Sequence, residues 1–277
     1  MKDLIEKYNF NFKKKYGQNF LKDKNILENI ALKSDIDKDT LVIEIGVGAA
    51  ALTNVTSNYA KNVIVYEIDE TLKPIINEVL RDKDNVEIIF TDFLKRNVKE
   101  DIKKYEYKKL YVVANLPYYI STPIIMKLLE NRLDIDEIIV MVQKEVAERL
   151  TAKTGTRLAG AITYAVEYYS DATSIIKVPK ESFVPSPKVE SEVIKLKVRK
   201  GKKIQVKDEK LLFNIISKSF MQRRKTLSNV LINNNIMHSR EDVKNMWKEL
   251  EIDENVRGES LTLEQFGKIA DYISEKK

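Results

Sequence analysis

A doubly wound α/β domain followed by an all-helical region is the fold that this 277-residue sequence predicts. Three observations carry the prediction. Short Val- and Ile-rich runs alternate with longer amphipathic stretches through the middle of the chain, the pattern of a parallel sheet covered by helices. The runs are almost continuously apolar, as expected where helices bury both faces of a sheet. After a Lys-rich break over Lys197–Lys210, apolar residues recur only at helical spacing.

The predicted strands are Leu41–Gly46, Asn62–Glu67, Val86–Phe90, Leu110–Asn115 and Asp136–Val142. Helices are predicted over Glu70–Arg81 and Thr122–Asn131, the second capped by Ser121 with Pro123 in its first turn. A helix over Gln143–Leu150, a polar loop Thr154–Arg157 and a helical stretch to about Ser170 follow. Thr173–Val178 and Glu190–Val198 read as two more strands, joined by the Pro-rich segment Pro179–Lys188. The domain boundary is placed at residues 200/201. Lys197–Lys210 then serves as a solvated linker, with contact to RNA phosphate as the alternative. Beyond it, Leu211, Leu212, Ile215, Ile216 and Phe220 mark one helix. Thr262 and Gln265 form a capping box ahead of Phe266, Ile269 and Ile273 in the last.

Composition excludes much. The chain has no cysteine and one histidine, which removes disulfides, Cys-ligated zinc, iron–sulfur clusters and thiol nucleophiles. His238 alone cannot build a multi-histidine metal site, and it reads as a surface turn residue. A formal charge of +6 suits a polyanionic partner or merely a Lys-rich surface. No run approaches the ~18 apolar residues of a membrane span, and the N-terminus lacks an apolar signal core. A cytoplasmic monomer that needs no metal and no membrane is expected.

The strand ends carry the chemistry. Val42–Thr53 runs from a strand through a small-residue turn into a helix, with Gly46 permitting a tight turn and Gly48 a close backbone approach to a ligand. A dinucleotide site would follow the same plan. Glu67 closes the next strand, where a carboxylate can accept both hydroxyls of a ribose. Asp92 follows the third, where it can hold the exocyclic amine of an adenine. Either acid alone is equally a strand-end cap; glycine, Glu and Asp at three consecutive strand ends point to an adenosine-bearing cofactor.

The fourth strand ends in Asn115-Leu116-Pro117-Tyr118. The lone pair of an adenine amine is delocalised into its ring, so the amine is a poor nucleophile. Two acceptors gripping both N–H bonds draw that pair out toward a methyl donor. The Asn115 side-chain oxygen and the Leu116 or Pro117 carbonyl can supply them. Pro117 stiffens the turn, and Tyr118 offers a ring for base stacking and for a nearby cation. No general base is required, because the nitrogen loses its proton after the methyl arrives. The alternative is a turn closed by Asn and Pro beside two core aromatics.

Together with Lys15–Leu21, Glu44–Thr53, Asn115–Ser121, Phe183–Val189 and Gln222–Thr226, these residues make the chain resemble, along essentially its full length, the KsgA family of ribosomal RNA adenine dimethyltransferases. The resemblance implies a Rossmann-like S-adenosylmethionine methyltransferase fold with a seven-stranded, mostly parallel sheet over residues 1–200 and a helical domain over 201–277. It implies that Gln18, Asn19 and Leu21 close over S-adenosyl-L-methionine, that Gly46, Gly48, Glu67, Asp92 and Asn115 line its pocket, and that Phe183 stacks on the flipped adenine. The implied activity is dimethylation of two adjacent adenines near the 3′ end of 16S rRNA in the assembling small ribosomal subunit. Alternatives are a 23S rRNA methylase of the erythromycin-resistance type and a catalytically weak assembly factor.

Arg223, Arg224 and Lys225 are candidate RNA contacts, or else a solvated helix face. The chain departs from the family pattern in having Ala50 for a third glycine, Val47 for a proline, and Ala159 for a tyrosine. Weaker cofactor binding is the most that Ala50 should cause.

Overall fold

A computed structural model describes residues 2–130 and 133–276. The strands are β1 (Phe20–Leu21), β2 (Thr40–Ile45), β3 (Asn62–Glu67), β4 (Val86–Phe90), β5 (Lys109–Asn115), β6 (Glu137–Gln143), β7 (Ser170–Val178), β8 (Phe183–Val184) and β9 (Ser191–Val198). The helices are α1 (Lys2–Lys7), α2 (Lys24–Lys33), α3 (Ala51–Tyr59), α4 (Lys73–Val79), α5 (Val98–Ile102), α6 (Ser121–Glu130), α7 (Lys144–Thr151), α8 (Ala161–Tyr169), α9 (Glu209–Met221), α10 (Leu227–Asn233), α11 (Arg240–Leu250) and α12 (Leu263–Glu275).

Among the described residues, seven strands form one sheet in the order β4-β3-β2-β5-β6-β9-β7. The first five run parallel and β9 is antiparallel to β6. Every residue of β2 is buried, as a central strand with helices on both faces requires. The chain leaves β2 for β3 on one side and later returns to place β5 on the other. That reversal opens a crevice outside the carboxyl ends of the strands, where ligands of such sheets bind.

The predicted strands are all present, Asn62–Glu67 and Val86–Phe90 with the expected ends and the others with one or both ends moved by one to three residues. Three local expectations are corrected. Glu70–Arg81 is a 3-10 turn over Glu70–Leu72 followed by α4, because Pro74 lacks an N–H and fits only the first turn of a new helix. Ser121 is the first helical residue of α6 rather than its cap. A 3-10 turn over Tyr118–Ile120 leads into it, and the Ser121 hydroxyl donates back to the Tyr118 carbonyl at 3.3 Å. Asn131, the expected end of that helix, lies outside the described residues. The Pro-rich segment holds a short strand, β8, that pairs antiparallel with β1, Phe20 opposite Val184 and Leu21 opposite Phe183.

Contacts divide the chain into two compact units, Met1–Ala147 with Ala172–Val198, and Glu148–Asp171 with Arg199–Lys277. The C-terminal break falls beside the expected 200/201 boundary. Residues 148–171, expected in the first domain, pack with the helical unit instead: Tyr164 and Tyr168 share its core with Leu212, Ile215 and Phe266. The Tyr164 hydroxyl donates to the Leu261 carbonyl at 2.6 Å. Nor is the basic run a solvated linker. Arg199 donates to the carbonyls of Glu167 and Ser170, Lys202 pairs with Glu209, Lys203 with Glu167 and Lys207 with Glu275, while Ile204 and Val206 pack on the core. Cations committed to carboxylates of their own unit are poor candidates for RNA phosphate.

Ala50, just ahead of α3, adopts the left-handed conformation at φ +58° and is fully buried. A glycine there removes strain of about 1–2 kcal/mol. It also forfeits about 0.8 kcal/mol of methyl burial and costs about 0.5–1 kcal/mol in chain entropy. Ala50→Gly should therefore shift stability by less than about 1 kcal/mol in thermal denaturation. Ala50→Val, branched and buried at positive φ, should cost at least about 2 kcal/mol.

Candidate functional site

A crevice opens to solvent at the strand ends. The predicted Gln18, Asn19, Gly46, Gly48, Glu67, Asp92 and Asn115 through Tyr118 all line it. Gly46 and Gly48 have φ of +81° and +53°. A methyl group on Gly48 would meet the Phe20 ring at 3.0 Å, so glycine keeps this wall of the crevice open.

Glu67 is nearly buried, and burial is the main cause that raises its pKa, opposed by backbone N–H donors. Its Oε1 accepts from the N–H groups of Ile68 and Asp69 at 2.9 and 2.8 Å. Oε2 receives only a long bond, 3.4 Å, from Gly48 N–H. Asp92 uses Oδ1 to cap the following 3-10 turn through Leu94 N–H at 3.0 Å, and Oδ2 lies 3.8 Å from the exposed Lys95 ammonium. Each acid thus doubles as a strand-end cap and keeps a second oxygen for a ligand.

Asn115 ends β5 and donates from Nδ2 to the Asn19 carbonyl at 3.1 Å. That bond orients the amide and leaves Oδ1 as an acceptor. Of the two backbone carbonyls considered, Pro117 accepts from Ile120 N–H at 3.1 Å, closing the turn. The Leu116 carbonyl is therefore the better second acceptor, and the Leu116 N–H donates to the Met141 carbonyl at 3.2 Å to hold it. Tyr118 is half-buried, its hydroxyl 2.7 Å from Ser191 Oγ, and burial raises its pKa.

Two expected residues lie elsewhere. Phe183 is 2% exposed and packed in the core, so it presents no face to a base in this conformation. Leu21 is buried and lines a smaller cavity that adjoins the crevice. Arg223 donates to the Ala159 carbonyl at 2.7 Å and pairs with Glu259 at 3.2 Å, tying it to its own unit; Arg224 and Lys225 are exposed. Ala159 itself is buried in the helical core.

Several contributing residues were not anticipated. Lys13 and Gln18 both donate to the buried Asp69 carboxylate, at 2.6 and 2.7 Å, fastening the N-terminal segment along the crevice. Burial opposes the ionised form of Asp69, yet hydrogen bonds from Lys13, Thr71 and Gln18 hold its pKa low. Tyr16, Gly17 and Tyr119 complete the mouth, Tyr119 being 55% exposed. Lys127 of α6 donates to the carbonyls of Phe93, Leu94 and Arg96 at 2.8, 2.7 and 3.1 Å, fixing the turn that carries Asp92. Lys127→Met should cost on the order of 2 kcal/mol in urea denaturation, since charge-assisted bonds to part-buried carbonyls are lost.

Among the described residues no group of acids and histidine could hold a metal ion, and no helix is long and apolar enough to cross a membrane.

Comparison with known proteins agrees with this geometry. The chain is 46% identical over 277 residues to the ribosomal RNA small subunit methyltransferase A of Lachnoclostridium phytofermentans, covering 99% of this chain and 96% of that one. A crystal structure of a dimethyladenosine transferase from Plasmodium falciparum superposes with a TM-score of 0.75 at 25% identity, covering 90% of this chain and 95% of that chain. The 23S rRNA methyltransferase ErmE shares the fold, with a TM-score of 0.68 at 22% identity over 92% of this chain and all of that chain. The family model described as ribosomal RNA adenine dimethylase matches residues 9–275. With its sheet, its crevice and its Asn-Leu-Pro-Tyr turn in the arrangement such chemistry needs, the chain belongs to the ribosomal RNA adenine dimethylase family.

Proposed function

We propose that this chain transfers methyl groups from S-adenosyl-L-methionine to the N6 amines of two adjacent adenines near the 3′ end of 16S rRNA, within the assembling small subunit in the cytoplasm. The observation that carries the proposal is the Asn115 amide, tethered through Nδ2 to Asn19 with Oδ1 left as an acceptor beside the Leu116 carbonyl. The curated relatives, named for the small subunit and matched over nearly their whole length, support the choice of RNA.

The crevice suits the cofactor. Glu67 Oε2 is available for ribose hydroxyls and Asp92 Oδ2 for an adenine amine, and Gly48 leaves space a side chain would fill. When bound, the cofactor supplies an electrophilic methyl on a sulfonium. Asn115 Oδ1 and the Leu116 carbonyl hold the two N–H bonds of the target amine, so its lone pair faces the methyl. Pro117 keeps both acceptors in place without reorganisation. With Phe183 in the core, Tyr118 and Tyr119 are the rings at hand for the flipped base.

Of the three candidate cations of the helical unit, Arg224 and Lys225 are left for RNA docking, Arg223 being tied to Ala159 and Glu259. Alanine at both should lower the slope of log affinity against log salt by about 1–2 in binding to small-subunit particles.

The proposal is tested in a bacterial strain lacking its own small-subunit adenine dimethylation. Expression of this chain should restore N6,N6-dimethyladenosine to 16S rRNA, and the Asn115→Ala variant should not. Modification appearing in 23S rRNA instead would overturn the substrate assignment.

A further inference from the structure

Ser191 opens β9 and does not line the crevice. It is buried, and among the described residues its Oγ has one hydrogen-bond partner, the Tyr118 hydroxyl at 2.7 Å. That hydroxyl likewise has no other partner among the described residues. In the sheet, β6 lies between β5, which leads into the catalytic turn, and β9. Asn115 stands opposite Met141 and Ser191 opposite Gln143, so the antiparallel β9 brings its first residue to the edge where the parallel strands end. Tyr118 therefore joins the catalytic turn to a strand two places away, past the end of β6.

Tyr118 is held at both ends. Its backbone is fixed by the turn: the Ser121 hydroxyl donates to the Tyr118 carbonyl at 3.3 Å, and Ile120 N–H donates to the Pro117 carbonyl at 3.1 Å. These contacts leave rotation about χ1 and χ2 free, and the bond from the far end of the ring to Ser191 fixes it. A separation of 2.7 Å is the ordinary length of an O–H···O bond. Burial raises the pKa of the phenol, so it enters that bond as a neutral hydroxyl. A serine hydroxyl buried in a strand asks for a partner, and Tyr118 is the one this position provides. A ring that serves as a stacking face works best when its tilt is set before the base arrives.

Resting on the catalytic reading of the Asn-Leu-Pro-Tyr turn above, we propose that Ser191 is a positioning residue for methyl transfer, its hydroxyl holding the Tyr118 ring at the tilt on which the flipped adenine stacks. Ser191 touches neither substrate nor cofactor and acts only through Tyr118. No bond to the serine is made or broken in the reaction. Its effect falls on the rate of the loaded complex, where the ring must meet the base. Cofactor affinity, which rests on Glu67, Asp92 and the glycines, is left alone.

The test is a double-mutant cycle of Ser191→Ala and Tyr118→Phe in the intact chain. Single-turnover methyl transfer to immature small subunits is measured at saturating S-adenosylmethionine, with S-adenosylhomocysteine affinity measured alongside. Each variant removes one hydroxyl of the pair and leaves the aromatic ring. Each should slow transfer by about ten- to a hundredfold, the scale of loss when a reacting group is misplaced, with S-adenosylhomocysteine affinity unchanged. The double variant should be no slower than either single one, because both remove the same bond. If Ser191→Ala slows transfer further in the Tyr118→Phe background, the serine acts on β9 rather than through the ring, and the assignment is overturned. A loss confined to cofactor affinity would overturn it too. Tyr118→Phe leaves β9 untouched, so a wild-type rate in that variant decides against the proposal even where Ser191→Ala fails to fold. No transfer by the wild-type chain would sink the catalytic reading itself, and the role of Ser191 with it.

Discussion

Asn115→Ala should lower single-turnover methyl transfer to rRNA by about 10²–10³-fold, the size of effect seen when one preorganised polar group is removed from a reacting centre. Two losses combine. The acceptor that grips one N–H of the amine disappears, and so does the bond from Nδ2 to the Asn19 carbonyl that joins the catalytic turn to the N-terminal segment. Asn115→Asp is a sharper variant. It keeps an acceptor oxygen but replaces the Nδ2 donor with a second acceptor facing the Asn19 carbonyl. It should therefore fall between wild type and alanine in rate. Both variants should fold, because Asn115 is only half-buried at the strand end and its backbone pairing with Met141 is unaffected by the side chain.

Glu44→Gln should stabilise the free protein at pH 8 and flatten the dependence of its Tm on pH. Burial raises the folded carboxyl from its ordinary 4.5 to about 8. A carboxyl raised in this way has its full stabilising contribution below about 4.5, and loses it progressively as pH rises toward 8. The unfolded chain gives up the proton across that window and the folded one does not. At roughly 1.4 kcal/mol per pH unit, the wild-type penalty at pH 8 is at most about 5 kcal/mol. The variant carries no titrating group, so its Tm should rise above wild type between pH 6 and 8 and match it near pH 4.5.

The parts of the site legible in the sequence are those whose chemistry is tied to a strand end. Gly46, Gly48, Glu67, Asp92 and Asn115 each end or follow an apolar run of strand length, so parallel strands gather them at one edge of the sheet. The turn after Asn115 was equally readable, because Pro117 limits it. What escaped depends on long-range partners. Lys127 reads as a surface lysine until α6 brings it to three carbonyls of the Asp92 turn. Asp69 reads as a cap, which it is for Thr71, but its other contacts come from Lys13 and Gln18, more than fifty residues away. Phe183 carries no sign that a two-residue ladder with Leu21 would bury it.

The helical unit shows the same limit. Residues 148–171 follow the sheet in sequence and share its composition, yet the aromatic faces of Tyr164 and Tyr168 find their partners in α9 and α12. The Lys-rich run reads as unpaired because two of the carboxylates that neutralise it, Glu167 and Glu275, lie on helices before and after it, and the third, Glu209, sits at its end where α9 begins. Charge patterning along a chain does not reveal pairing across a fold.

The most direct test of the central claim is a nucleoside count. Immature small subunits lacking the modification are incubated with this chain and S-adenosylmethionine, and their rRNA is digested and quantified by mass spectrometry. The account predicts N6,N6-dimethyladenosine approaching two per particle, with none in large subunits treated alike. Dimethyladenosine confined to large-subunit rRNA, or small subunits that bind the chain tightly and gain no methyl group, would contradict it.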